Sequence, residues 1–163
     1  MFKRFALILS LTSSLTFACG LHQDTGFNLV TEPGSLEVFG NIISARQHDQ
    51  LGNLNKPDHF RLFTAKAALK KPHNETMDFV LFEAIKGHYS DFRFTAGKGV
   101  VVTGRNNLPT EQDVLLITEL DVFDALATGK ISWDEAFRQG LVTINGPREK
   151  RQQLQSWLSH TFA

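Results

Sequence analysis

The sequence predicts an α+β domain: one five-stranded, mostly antiparallel sheet covered by helices, with two further helices ahead of the sheet. Three observations predict it. Residues 113–158 alternate short apolar runs with capped helical stretches, residues 77–103 hold three consecutive strand-like runs, and two stretches before residue 70 have apolar residues at helical spacing. The chain has 163 residues, 42% apolar and 21% charged, which fits one domain able to bury a continuous interior.

The opening Met1-Phe2-Lys3-Arg4 is basic, Phe5 to Leu11 is apolar, and Thr16-Phe17-Ala18 supplies small residues at the spacing of a cleavage site. Residues 1–18 therefore read as an export signal, with the single domain occupying 19–163 and a periplasmic or secreted destination. Ser10, Thr12, Ser13 and Ser14 break the apolar run well short of a membrane span. Cleavage would remove two of the 17 basic residues and none of the 17 acidic ones, leaving a formal charge of −2. Such a balance offers no basic field for nucleic acid.

From Leu21 to Pro33 no period is evident. Pro33-Gly34 breaks the chain before a helix capped by Ser35, with Leu36, Phe39, Ile42, Ile43 and later Leu51 expected on its inner side. A second helix is expected over 60–69, with Phe60, Phe63 and Ala67 inward, Leu62 and Leu69 as further inward candidates, and Lys70-Lys71-Pro72 ending it. Asn74-Glu75-Thr76 has the form of a glycosylation acceptor. Three strands follow: Met77–Lys86, carrying the apolar run Phe79 to Phe82; His88–Thr95, where Phe92 and Phe94 share a face; and Lys98–Thr103, entered through Gly97-Lys98-Gly99.

After a polar loop, Val114 to Ile117 reads as a strand covered on both faces. Thr118 with Asp121 suggests a capping box for a helix that buries Leu120, Phe123, Leu126 and Ala127 and ends at Gly129. Ser132 with Glu135 repeats the signal for a short helix with Trp133, Ala136 and Phe137 on its apolar side, closed by Gly140. Leu141 to Ile144 is a fifth strand, and Gly146-Pro147 leads into a last helix that buries Leu154, Trp157 and Leu158.

The succession Asp113–Thr118, Phe123-Asp-Ala-Leu-Ala-Thr-Gly129-Lys130, Ala136-Phe137-Arg-Gln-Gly140 and Leu141-Val-Thr-Ile-Asn-Gly146, followed by a helix, resembles the C-terminal half of sterol carrier protein type 2 domains. The resemblance implies a five-strand sheet, a lipid tunnel between the sheet and the C-terminal helices, and a hydrophobic small molecule as partner. It implies no cofactor beyond a bound lipid or fatty acid, and no catalysis. On this resemblance Phe92, Phe94, Leu126, Phe137, Leu154 and Trp157 are the expected cavity walls. The opening Pro147-Arg148-Glu149 of the last helix departs from the small, apolar start usual in the family.

The residues themselves agree that binding outweighs chemistry. The sequence contains no Gly-x-Ser-x-Gly, Gly-rich phosphate loop, His-Glu-x-x-His or Cys-x-x-Cys. His88, Tyr89, Ser90 and Asp91 are adjacent, but alternation along a strand sends His88 and Ser90 one way and Tyr89 and Asp91 the other. Fourteen phenylalanines against one tyrosine favour rings without a polar tip, which fill a core or wall a hydrocarbon site. Cys19 is the only cysteine, so no internal disulfide forms. It has three readings: the lipidated first residue of a mature lipoprotein; with His22, part of a copper site of an accessory metal or redox protein; or an exposed terminal thiol. A domain that has lost its cavity and serves as an interaction scaffold is the remaining alternative.

Overall fold

The computed structural model of the chain describes residues 32–70, 77–95 and 99–163. Its elements run α1 (Ser35–Gln47), α2 (Asp58–Leu69), β1 (Phe79–Glu83), β2 (His88–Thr95), β3 (Gly99–Gly104), β4 (Leu115–Thr118), α3 (Leu120–Ala127), α4 (Trp133–Arg138), β5 (Thr143–Asn145) and α5 (Arg148–Thr161). The strands form one sheet in the order β3-β2-β1-β4-β5. Neighbours are antiparallel except β1 and β4, which run parallel with Leu81 opposite Leu116. The expected α+β architecture, its mostly antiparallel five-stranded sheet and the two helices ahead of it are all present.

The parallel pair explains the uninterrupted apolar runs. β1 and β4 lie at the centre, every residue of both is buried, and each therefore needs apolar side chains on both faces. On one face Phe79, Phe92 and Phe94 meet α3 and α5 through Phe123 and Trp157. On the other Phe82 lies beside Tyr89, whose hydroxyl donates to Glu32 at 2.7 Å just before α1.

Gly129 and Gly140 end α3 and α4 with φ of 70° and 66°, as their positions after the apolar stretches predict. Ser132 caps α4 by accepting from the Glu135 N–H at 3.2 Å. Gly146 is needed for closeness as well as for its φ of 119°, because a Cβ there would stand 2.4 Å from the Asp113 carbonyl oxygen.

Four expectations are corrected. Thr118 does not cap α3; its hydroxyl donates to the Leu141 carbonyl at 2.8 Å, and Asp121 turns back to its neighbour's N–H. In α1 the buried residues are Ser35, Val38, Ile42 and Ala45, so Leu36 and Phe39 face water. In α2 they are Ala65, Ala68 and Leu69, leaving Phe60 and Phe63 outside. Small residues let α2 approach α3 closely, and the phenylalanines turn away from that contact. In α4, Trp133 and Ala136 are buried while Phe137 is not.

Candidate functional site: a cleft at the foot of the last helix

At the end of the sheet where β1 and β4 begin, a half-open cleft of about 490 Å³ lies between the strands and the first turns of α5. Phe79, Val80, Phe92 and Val114 are its buried apolar members, and Lys150 and Gln153 reach it from α5. Its outer wall is charged in both senses by Asp78, Asp91, Asp113, Arg93 and Arg105.

Those charges are organised. Arg105 donates to Asp91 at 3.1 Å and to Asp113 at 2.8 Å, tying β2 to the approach of β4. Burial pushes the Asp113 carboxyl up, but the Thr110 N–H, the Arg105 guanidinium and the Thr110 hydroxyl outweigh it and hold the group below its usual value. Lys150 donates to the Gln112 carbonyl at 2.6 Å, fastening the start of α5 to the loop before β4. The cleft therefore has a charged lip over a floor of four apolar residues that are themselves almost fully buried.

Behind the cleft stands an aromatic cluster. The Phe79 and Phe92 rings stack at 4.8 Å, Phe123 meets Phe92 edge-on at 6.0 Å, and Phe94 meets Trp157 edge-on at 4.7 Å. Of the six residues expected to wall a cavity, Phe92 lines the cleft. Leu126, Leu154 and Trp157 are buried in the core, and Phe94 packs against its edge. Phe137 is 45% exposed, because the turn of α4 spends its inner positions on Trp133 and Ala136. Sequence reading missed Phe79 as a wall; its pairing with Phe92 across β1 and β2 places both rings on one face, a consequence of register.

The opposite end of the sheet holds a polar network that the sequence did not reveal. Glu119, Asp121 and Asp124 are all buried. Arg46 donates to Asp121 at 2.5 Å and lies 3.6 Å from Glu119, while Lys56 pairs with Asp124. Asn53 donates to the Asp121 carbonyl at 2.7 Å and to the Asp124 carboxylate at 2.9 Å. Glu119 accepts the Ile85 N–H at 2.6 Å, and burial is the main cause that pushes its carboxyl up to about 7. These bonds fasten α1 and the segment before α2 to α3.

Cys19, His22 and the Asn74-Glu75-Thr76 acceptor lie outside the described residues. Among the described residues no group of three or more His, Cys, Asp or Glu side chains could hold a metal ion. No helix among them is long and apolar enough to cross a membrane.

Residues 59–159 match the model of the SCP-2 sterol transfer family, more than half of the chain, and the chain belongs to that family. No curated protein and no solved structure matched it. The matched span takes in α2 and every later element through most of α5, and leaves α1 as an addition in front.

Proposed function

We propose that this protein is an exported, non-catalytic carrier of a lipidic ligand, bound through the cleft at the foot of α5. Membership of a sterol transfer family supports the class of ligand. The observation that carries the reading to a place in the molecule is the 490 Å³ cleft, whose inner wall is Phe79, Val80, Phe92 and Val114. Each ligand CH₂ taken from water there contributes about 0.8 kcal/mol, so micromolar binding needs an acyl stretch of about ten methylenes withdrawn from water. The basic start and apolar run of residues 1–18 support export.

Native mass spectrometry of the purified chain tests the binding. A co-purified mass in the range of an acyl or isoprenoid lipid is expected, and a bare chain under all purification conditions would sink the proposal. Gln153→Trp fills the cleft from the exposed side of α5 without touching the core, so it is expected to abolish the bound mass while the melting temperature stays unchanged. The mass of the mature N-terminus tests export separately: a chain beginning at Cys19, with or without an acyl addition, is expected, and an intact Met1 would overturn it.

A further inference from the structure

The two edges of the sheet are finished differently. β5 is three residues long, its Asn145 side chain donates to the Pro33 carbonyl at 2.9 Å, and Gly34 ahead of α1 comes close to Thr143. β3, at the other end of the strand order, is six residues long and reads Gly99-Val-Val-Val-Thr-Gly104. Charged side chains and prolines are the usual devices that keep a sheet edge from pairing, and β3 carries neither.

The ladder decides which groups β3 leaves open. The Arg105 N–H donates to the Tyr89 carbonyl at 3.0 Å, so the antiparallel alternation has Thr103 and Val101 exchange bonds with Asp91 and Arg93. Val100, Val102 and Gly104 therefore turn N–H and C=O outward, and among the described residues no hydrogen bond reaches those groups. Their placing is self-complementary. A second β3, antiparallel about a two-fold axis at Val102, sets Val102 against Val102 and Val100 against Gly104, so every outward donor meets an outward acceptor. The same register sets Val101, 39% exposed, opposite Thr103 of the second copy.

We propose that β3 pairs with β3 of a second copy, joining the two sheets into one. No like charges meet across the axis, because the paired stretch 100–104 is uncharged. Arg105, the next cation along the chain, is held by Asp91 and Asp113, and Lys70 lies against Gly99, past the end of that stretch. A ladder this short is a small interface, and interfaces below about 1,200 Å² are weak, so the dimer is expected to form and part with concentration. The inference stands apart from what the cleft holds, since association is read on the chain alone.

Sedimentation equilibrium of the full chain over a range of concentrations, with residue-resolved amide exchange, tests this. A monomer–dimer equilibrium is expected. The Val100, Val102 and Gly104 amides are expected to gain protection with concentration, while those of Val101 and Thr103, already bonded to β2, do not change. Val101→Lys with Thr103→Lys puts lysine against lysine on both sides of the axis and is expected to weaken the dimer about fivefold or more; Val101→Glu with Thr103→Glu acts alike. Mixing the two variants is expected to restore association, because each lysine then faces a glutamate. Both positions are exposed, so neither variant alters the core. Phe60→Ser with Phe63→Ser, exposed on α2, is expected to leave association unchanged. A chain monomeric at every concentration overturns the proposal, as does a dimer without added protection at Val102, failure of the mixture to associate, or a loss confined to the α2 variant. Protection of the three outward amides in a monomer overturns it as well, since a segment of the same chain would then hold the edge.

Discussion

Replacing Phe123 by alanine is expected to destabilise the domain by about 3–5 kcal/mol, read as a fall in the urea midpoint at unchanged slope. Phe123 is fully buried, and its ring meets Phe79, Phe92 and Phe162 at 6.4, 6.0 and 5.7 Å. Its ring joins α3 both to the sheet and to Phe162, so truncation removes contacts on both sides at once. Against a typical domain stability of about 5–15 kcal/mol that is a large fraction. Phe137→Ala is the control: with 45% of that residue already in water, its cost is expected to stay below about 2 kcal/mol. Equal losses at the two positions would show that the aromatic cluster is not the organising core. Because Phe79 and Phe92 also wall the cleft, Phe123→Ala is expected to loosen ligand binding as well.

Residues 113–158 were legible because their physics is local. Val114 to Ile117 must be apolar throughout to fill both faces, Gly129 and Gly140 must adopt positive φ, and Ser132 caps α4 with its own side chain. None of this requires knowledge of a distant residue. The helices before residue 70 were legible in place but not in orientation. Phe60 and Phe63 are the largest apolar residues of α2 and were expected inward, yet its buried side is formed by Ala65, Ala68 and Leu69. The buried carboxylates were hidden for a related reason. Asp121 read as a capping carboxylate, and the partners of these acids, Arg46, Asn53 and Lys56, lie 68–75 residues earlier along the chain. A faint signal existed: Leu120, Val122, Phe123, Ala125 and Leu126 leave α3 almost no polar side to turn outward.

The cleft was legible only in part, since its walls come from register. Phe92 and Phe94 were assigned to one face by alternation alone. That Phe79 joins them depends on which residue of β1 faces which of β2, and the turn between Glu83 and His88, with Gly87 at φ of 65°, fixes that pairing. Arg105 could be placed at the lip only after the sheet brought Asp91 and the loop before β4 together.

Glu119→Gln is expected to flatten the dependence of stability on pH between about 4.5 and 7. Glu119 is 1% exposed, and burial is the main reason its carboxyl is pushed from 4.5 up to about 7. The Ile85 N–H and the Lys86 ammonium work against that shift, while Glu83 and Asp121 reinforce it. Arg46 gives it little relief, because its closer bond is to Asp121. A carboxyl whose folded value is raised keeps its proton in the native state after the unfolded chain has released it. Between the two values the native state therefore binds more protons, and stability falls as pH rises. A shift of this size corresponds to about 3 kcal/mol, fully present below pH 4.5 and gone above pH 7. Asp58 and Asp113, held below their ordinary value, act in the opposite sense and at lower pH, so the windows separate. Urea midpoints of the wild type and Glu119→Gln, taken in steps from pH 4 to 8, check this: the wild type is expected to lose stability across the window and the variant to lose much less. Parallel profiles would mean that Glu119 is ionised in the folded protein throughout. In that case the bond from Ile85 and the pull of Arg46 and Lys86 would outweigh burial, and the polar end of the sheet would be a satisfied ion network rather than a site that holds a proton near neutrality.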